Sequence, residues 1–147
     1  MSTATTYRIT RVVALPERRL HVEYAGGTVA EVNMAPLIAK SRAFRHLADS
    51  EKFAAVAVGD YGWSAVWDDT AELDSDRLMD MALEQAGRID TLAFRQWQER
   101  NGLSLTDAAK AIGLSRRTVS QYRTGSRPVP RTVYLACKGW EAEKRAA

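Results

Sequence analysis

A change of hydrophobic period divides this chain. From Tyr7 to Trp67 apolar side chains tend to alternate with polar ones, whereas beyond Ser75 they recur every three to four residues. Period two lines up side chains on one face of a strand, and a period near 3.6 lines them up on one face of a helix. The sequence therefore predicts an α+β protein: a small antiparallel β-sheet domain with short helices over residues 1–86, followed by an all-α domain over residues 87–147. With 147 residues in all, each of two such domains has only a thin core.

In the first part, residues 7–12, 19–24 and 28–32 are expected to be strands, with Gly26 and Gly27 supplying positive φ at the turn between the last two. Residues 36–44 are expected to be a short helix. Residues 53–58 and 63–67 are expected to form a second hairpin around residues 59–62, with Trp63, Ala65 and Trp67 on one face. Helical spacing then begins with Leu78, Met81, Ala82 and Gln85; Asp74 or Ser75 can cap its start and Gly87 can end it.

The second part gives a sharper pattern. A helix over residues 91–100 turns Phe94 and Trp97 inward and ends at Asn101-Gly102. A second, over residues 105–112, carries Leu105, Ala108, Ala109 and Ile112 on one side. Gly113 fits the left-handed conformation that a sharp bend between helices needs, and Leu114 fills the corner. Ser115 caps the next helix, which directs Val119 and Tyr122 to the core, while Ala109 is small enough for two helices to cross closely. This is a helix-turn-helix.

Charge follows the same division. Residues 1–90 hold 10 Lys/Arg and 14 Asp/Glu, a balance of −4; residues 91–147 hold 11 and 4, a balance of +7. From Ala108 to Trp140 there are seven basic side chains and no acidic one, so that face cannot neutralise itself and calls for an anionic partner. Val119 and Tyr122 inward leave Arg116, Arg117, Ser120, Gln121 and Thr124 outward. Such a helix fits the major groove of double-stranded DNA. Arg116 and Arg117 are suited to guanine, Gln121 to adenine and Ser120 to a base or a phosphate. Thr106, Lys110, Ser115, Arg123, Thr124, Arg127 and Arg131 are assigned to phosphate contacts, which position without reading sequence.

Other chemistries find less support. The acids Asp68, Asp69, Glu72, Asp74, Asp76 and Asp80 lack the regular ligand spacing of a calcium loop and lead into a helix whose positive end they favour, so neither a metal nor a cofactor is expected. His21 and His46 have no ligand-spaced neighbour or nucleophile motif, and no enzymatic activity is expected. Cys137, the lone cysteine, reads as a small core residue and fits a reducing cytoplasm. No apolar run approaches the roughly 18 residues of a membrane helix, and the polar opening MSTATT carries no evident signal or anchor. A cytoplasmic protein without a membrane partner is the expectation.

Two resemblances add to this. The segment LSLTDAAKAIGLSRRTVSQYRTGSRPVP resembles the helix-turn-helix of the lambda-repressor and Cro-like family, also called the XRE family, over about residues 92–138. Ala109 falls at its small position, Gly113 at its turn glycine, and Ile112, Leu114, Val119 and Tyr122 at its core positions. Many members carry a phosphate-touching Gln where this chain has Leu105. The first part, with its Gly-Gly turn, Trp-bearing strand and DSDRL helix start, resembles the bacterial domain-of-unknown-function family 2442 over about residues 6–84. The first resemblance implies a sequence-specific DNA-binding repressor working as a homodimer, with the first part or residues 133–140 as the dimer surface. The second implies a fold and, as an alternative role, an antitoxin-like or adaptor protein that holds a small protein partner through its N-terminal domain and binds DNA for autoregulation.

Overall fold

Alternation at the start of the chain produces a meander of three strands. The computed structural model describes residues 7–147 and contains β1 (Ile9–Leu15), β2 (Arg19–Tyr24) and β3 (Val29–Asn33) in one antiparallel sheet of that order. The polar opening MSTATT lies outside the described residues. In β2 the even positions Leu20, Val22 and Tyr24 are buried and His21 and Glu23 are half-exposed, as a strand with one face on a core requires. Register pairs Val12 with Val22 and Val22 with Ala30.

The turn into β3 uses one left-handed glycine, not two. Gly27 N–H donates to the Tyr24 carbonyl at 3.0 Å and Tyr24 N–H to the Thr28 carbonyl at 2.9 Å, a three-residue loop in which only Gly27, at φ +92°, needs positive φ. Between β1 and β2, Glu17 and Arg18 both hold positive φ without being glycine. Arg18 is tied down there: its guanidinium donates to the carbonyls of Leu47 and Ala48 and its own carbonyl accepts from Met34 N–H.

After α1 (Ala35–Lys40), the expected strand over 53–58 is shorter: Phe53 and Ala54 end a helix, and only the last two residues are strand. Asp49 Oδ1 accepts from the N–H groups of Glu51 and Lys52 at 2.9 and 3.1 Å, which starts α2 (Ser50–Ala54) and turns Phe53 inward. Only β4 (Ala57–Val58) stays extended, pairing with β5 (Ser64–Asp68), which pairs with β6 (Ala71–Asp74). Trp63 precedes β5 in a helical conformation, so it leaves the face of Ala65 and Trp67 and stands 45% exposed. Trp67 is buried, donates from Nε1 to the Phe53 carbonyl at 3.1 Å and meets Phe44 edge-on.

The acids here serve the fold. Asp74 caps α3 (Ser75–Gln85) by accepting from Arg77 N–H at 2.7 Å, and Glu72 accepts from the Ser64 hydroxyl at 2.6 Å. Asp68 accepts from the hydroxyl and N–H of Thr70 and from Ala71 N–H; these Thr70 bonds, then His46, hold its carboxyl down at about 2. Among the described residues no three His, Cys, Asp or Glu side chains converge as a metal site would require. In α3 the buried stripe is Leu78, Met79 and Leu83, with Met81 and Ala82 only partly covered. Gln85, at its end, exchanges two hydrogen bonds with the backbone of Asn33, at 2.7 and 2.8 Å.

The chain divides into two compact units, Met1–Gln85 and Ala86–Ala147, each with its own core. The second holds α4 (Ile89–Arg100), α5 (Leu105–Ile112), α6 (Arg116–Thr124) and α7 (Arg131–Ala146). Phe94, Trp97, Ala108, Ala109, Val119, Tyr122, Val133 and Cys137 make its core. Each large apolar side chain so buried contributes about 1.5–3 kcal/mol. At the far end of α4, Arg100 forms two hydrogen bonds to Glu141 of α7, at 3.0 and 2.8 Å, and Asn101 adds a third. Arg100 first and Asn101 second hold the Glu141 carboxyl down at about 2. Burial, aided by the Glu141 charge, pushes the Cys137 thiol up to about 12. No helix among the described residues is long and apolar enough to cross a membrane.

Candidate nucleic-acid interface

Four short-range devices build the bend between α5 and α6. Ser104 caps α5 by accepting from Asp107 N–H at 3.0 Å. Gly113 stands at φ +72° and ψ +35°, and Leu114 N–H reaches back to the Ala109 carbonyl at 2.9 Å, closing the end of α5. A Cβ at Gly113 would meet nothing within 4 Å, so glycine is needed there for its backbone angle and not for space. Ser115 caps α6 by accepting from Thr118 N–H at 3.1 Å. Val119 and Tyr122 are buried, and Tyr122 packs edge-on against Phe94 of α4.

With that face fixed, Arg116 and Arg117 occupy the first two positions of α6, exposed, and make no hydrogen bond or ion pair with any described residue. Two cations there oppose the positive end of the helix dipole, and the first turn contains no acidic residue to offset them. Half-buried Ser120 and Gln121 follow on the same outward arc as Arg117. Lys110 on α5 is exposed and has no partner among the described residues, and Thr106 is half-buried at the start of that helix. Thr106 and Lys110 thus lie on α5 and Arg116, Arg117, Ser120 and Gln121 on α6, the two helices joined by the bend.

The remaining phosphate candidates are placed differently from one another. Ser115 is spent on its cap and on the Thr118 hydroxyl at 2.9 Å. Thr124 closes the end of α6, its hydroxyl bonded to the Gln121 carbonyl and to Ser126. Arg123 is half-buried and donates to Gln98 of α4 at 2.9 Å, so one nitrogen of its guanidinium already has a partner within the unit. Arg127 is exposed with its guanidinium 5.9 Å from the Tyr122 ring, and Arg131 lies 5.7 Å from the Tyr134 ring.

Composition and period give no hint of what holds α6 and the following loop in place. Arg95 is buried on α4 and donates to the Arg123 carbonyl at 3.0 Å, while Gln98 bonds Arg123 and the Leu103 carbonyl. At the head of α4, Asp90 accepts from Val129 N–H at 2.9 Å. Arg88 donates to the Gly125 carbonyl at 3.1 Å, to Thr91 Oγ1 at 3.0 Å and to Asp90 at 3.3 Å. Burial raises the Asp90 carboxyl, but the Val129 and Arg88 hydrogen bonds outweigh it and leave the group below its ordinary value. Each of the four makes a hold that spans 25–39 positions, beyond the reach of any local pattern.

Two helices at a glycine bend, with a third and fourth bracing them, define a helix-turn-helix protein, and the family described as "Helix-turn-helix domain" matches residues 92–137. The crystal structure of "Putative DNA Binding Protein NE0471 from Nitrosomonas europaea ATCC 19718" is 41% identical in sequence over 92% of this chain and 86% of that one, with a TM-score of 0.67. The chain belongs to the family of that Nitrosomonas protein. No curated protein matches it.

Proposed function

We propose that this chain is a sequence-specific double-stranded DNA-binding protein that acts as a transcriptional repressor. One observation carries the proposal. Arg116 and Arg117 stand exposed and without partners at the end of α6 where the helix's own dipole disfavours them. Their electrostatic cost is recovered when an anion arrives. The helix-turn-helix match over residues 92–137 and the name of the Nitrosomonas relative support the same reading. α6 enters the major groove, with Arg116 or Arg117 forked onto guanine, Gln121 on adenine and Ser120 on a base or phosphate. Lys110, Thr106, Arg127 and Arg131 contact phosphates. One such module spans few base pairs, so two copies bind a near-palindromic site about one helical turn apart.

The test is selection of bound sequences from a random duplex pool at fixed salt, with wild type and with Arg116→Ala/Arg117→Ala. Enrichment of a two-fold motif by wild type, absent for the variant, is expected. Loss of the arginine contacts should weaken binding by about 2–6 kcal/mol if both fork onto bases. Contact with about four to six phosphates per protomer should give a log–log salt slope near −4 to −5 per half-site. Absence of any enriched motif, or affinity indifferent to salt, sinks the proposal.

A second role is favoured by one feature of the first unit, whose resemblance to family 2442 belongs to the same reading. Tyr61 and Trp63 are 77% and 45% exposed beside the short edge strand β4, an anchor of the kind that partner proteins bury. A small protein held there, with DNA binding used for autoregulation, makes the chain antitoxin-like or an adaptor. Co-purification of such a partner, lost in Trp63→Ala but kept in Arg117→Ala, would support that role; a partner never recovered with wild type would remove it.

A further inference from the structure

We infer that Arg88 and Asp90 are positioning residues for DNA binding: together they clamp the loop from Gly125 to Val129 and so set where the Arg127 guanidinium meets a phosphate. The inference rests on the DNA-binding reading above. The loop follows α6 directly, and residues 125–130 contain no strand or helix; the Arg127 N–H donates to the Gln121 carbonyl at 3.3 Å, which ties the start of the loop to α6 and leaves its far side to other contacts. Its backbone is also held by side chains of another element. Asp90 takes the Val129 N–H at 2.9 Å, and Arg88 takes the Gly125 carbonyl at 3.1 Å, so one contact lies on each side of Arg127. The two clamping residues brace each other at 3.3 Å, and Arg88 is further fixed by Thr91, which is fully buried. A loop fastened two residues before and two residues after one cation presents that cation in a narrow range of positions, and a phosphate contact depends on such placement.

The exposure pattern fits this division of labour. Arg127 is exposed and rests over the Tyr122 ring, whereas Arg88 and Asp90 are half-covered and face the loop, so they act through it and not on DNA themselves. A polar clamp is also costlier to build than an apolar contact, because each member must find a loop partner far along the chain, 37 residues away for Arg88 and 39 for Asp90. Packing alone would have held the loop to the core through Val129, which already lies against it.

The experiment measures binding of the full chain to its selected duplex across a salt series for wild type, Asp90→Ala, Asp90→Asn, Arg127→Ala and Asp90→Ala/Arg127→Ala, each checked for an unchanged melting transition. Asp90→Ala is expected to weaken binding about tenfold. It should also make the salt slope shallower by about one. The double variant should bind no more weakly than Arg127→Ala alone, because the clamp acts through that side chain. Asp90→Asn retains an acceptor for Val129 and should recover most of the loss. Relative preference among duplexes should stay fixed, since the base-facing residues lie on α6. Should Asp90→Ala fail to fold, Arg88→Met, which releases Gly125 and the brace on Asp90 but leaves the Val129 bond, is expected to give the same pattern more weakly. Wild-type affinity and slope in Asp90→Ala, or a loss that persists in full beside Arg127→Ala, would overturn the clamp while leaving DNA binding intact. A wild type that binds no duplex overturns both.

Discussion

Two helices in this chain begin in opposite ways. α3 starts behind a carboxylate, Asp74, that accepts an amide of its first turn, and places Asp76 in that turn, so negative charge sits where the helix dipole is positive. α6 starts behind a neutral serine and places Arg116 and Arg117 in the same position, with no acid near. The first arrangement lowers the free energy of the folded chain by itself. The second raises it slightly, and becomes favourable only when something negative is bound. A helix end that works against its own fold, in a chain that caps α2 and α3 with acids, is the mark of a surface kept for a partner.

The contrast can be broken or sharpened at several strengths. Leu78→Ala removes a fully buried side chain from the core beneath α3 and should cost about 2–5 kcal/mol in urea unfolding of the first unit. Duplex affinity held at the wild-type value in folded protein would sharpen the division between the units, and its loss would break it. Gly113→Ala forces a Cβ onto a φ of +72° and should cost about 1–2 kcal/mol, with Gly113→Asn milder, although space is open there. Equal stability of all three proteins would mean the bend relaxes. Asp74→Ala should cost about 1 kcal/mol through the lost cap. Arg117→Ala is expected to move the melting transition the other way, upward by a few tenths of a kcal/mol at low salt, with the gain fading as salt rises. A fall in stability on removing Arg117 would contradict the electrostatic account of α6.

The smallest effect concerns acid. Glu141 is held at about 2 by Arg100 and Asn101, below its ordinary value, so the pairing contributes its full increment above the ordinary carboxylate range and loses it as pH falls toward 2. Glu141→Gln should therefore lower stability at neutral pH and flatten the acid limb of the second unit, with the two proteins converging near pH 2. Parallel curves would show that the pair contributes nothing.

Much of this was readable from the chain because the second unit is built by neighbours. Ser104, Gly113 and Ser115 act within three to five residues, and the period of Val119 and Tyr122 sets which way Arg117 faces, so local rules reach the site. The first unit resisted in places where a cap outweighed alternation. Asp49 starts a turn of helix that the spacing around Phe53 disguised as a strand, and the helical backbone of Trp63 breaks an alternation that Ala65 and Trp67 keep. Arg123 was legible as a basic residue and not as a committed one, because its partner Gln98 lies 25 positions away. The Asp90 and Arg88 contacts share that remoteness. Pattern shows which side chains point outward; only tertiary structure shows which of those are already spoken for.

Cys137 turns the second unit into its own stopwatch. Its sulfur lies inside the packing of α7 against α4, and with a thiol pushed up to about 12 almost none of it is the reactive anion at neutral pH. An alkylating reagent should then label the folded protein slowly and faster whenever α7 lifts away. As the sequence contains a single cysteine, the labelling rate tracks those openings, and slower labelling with duplex present would report how firmly cargo keeps the bundle shut.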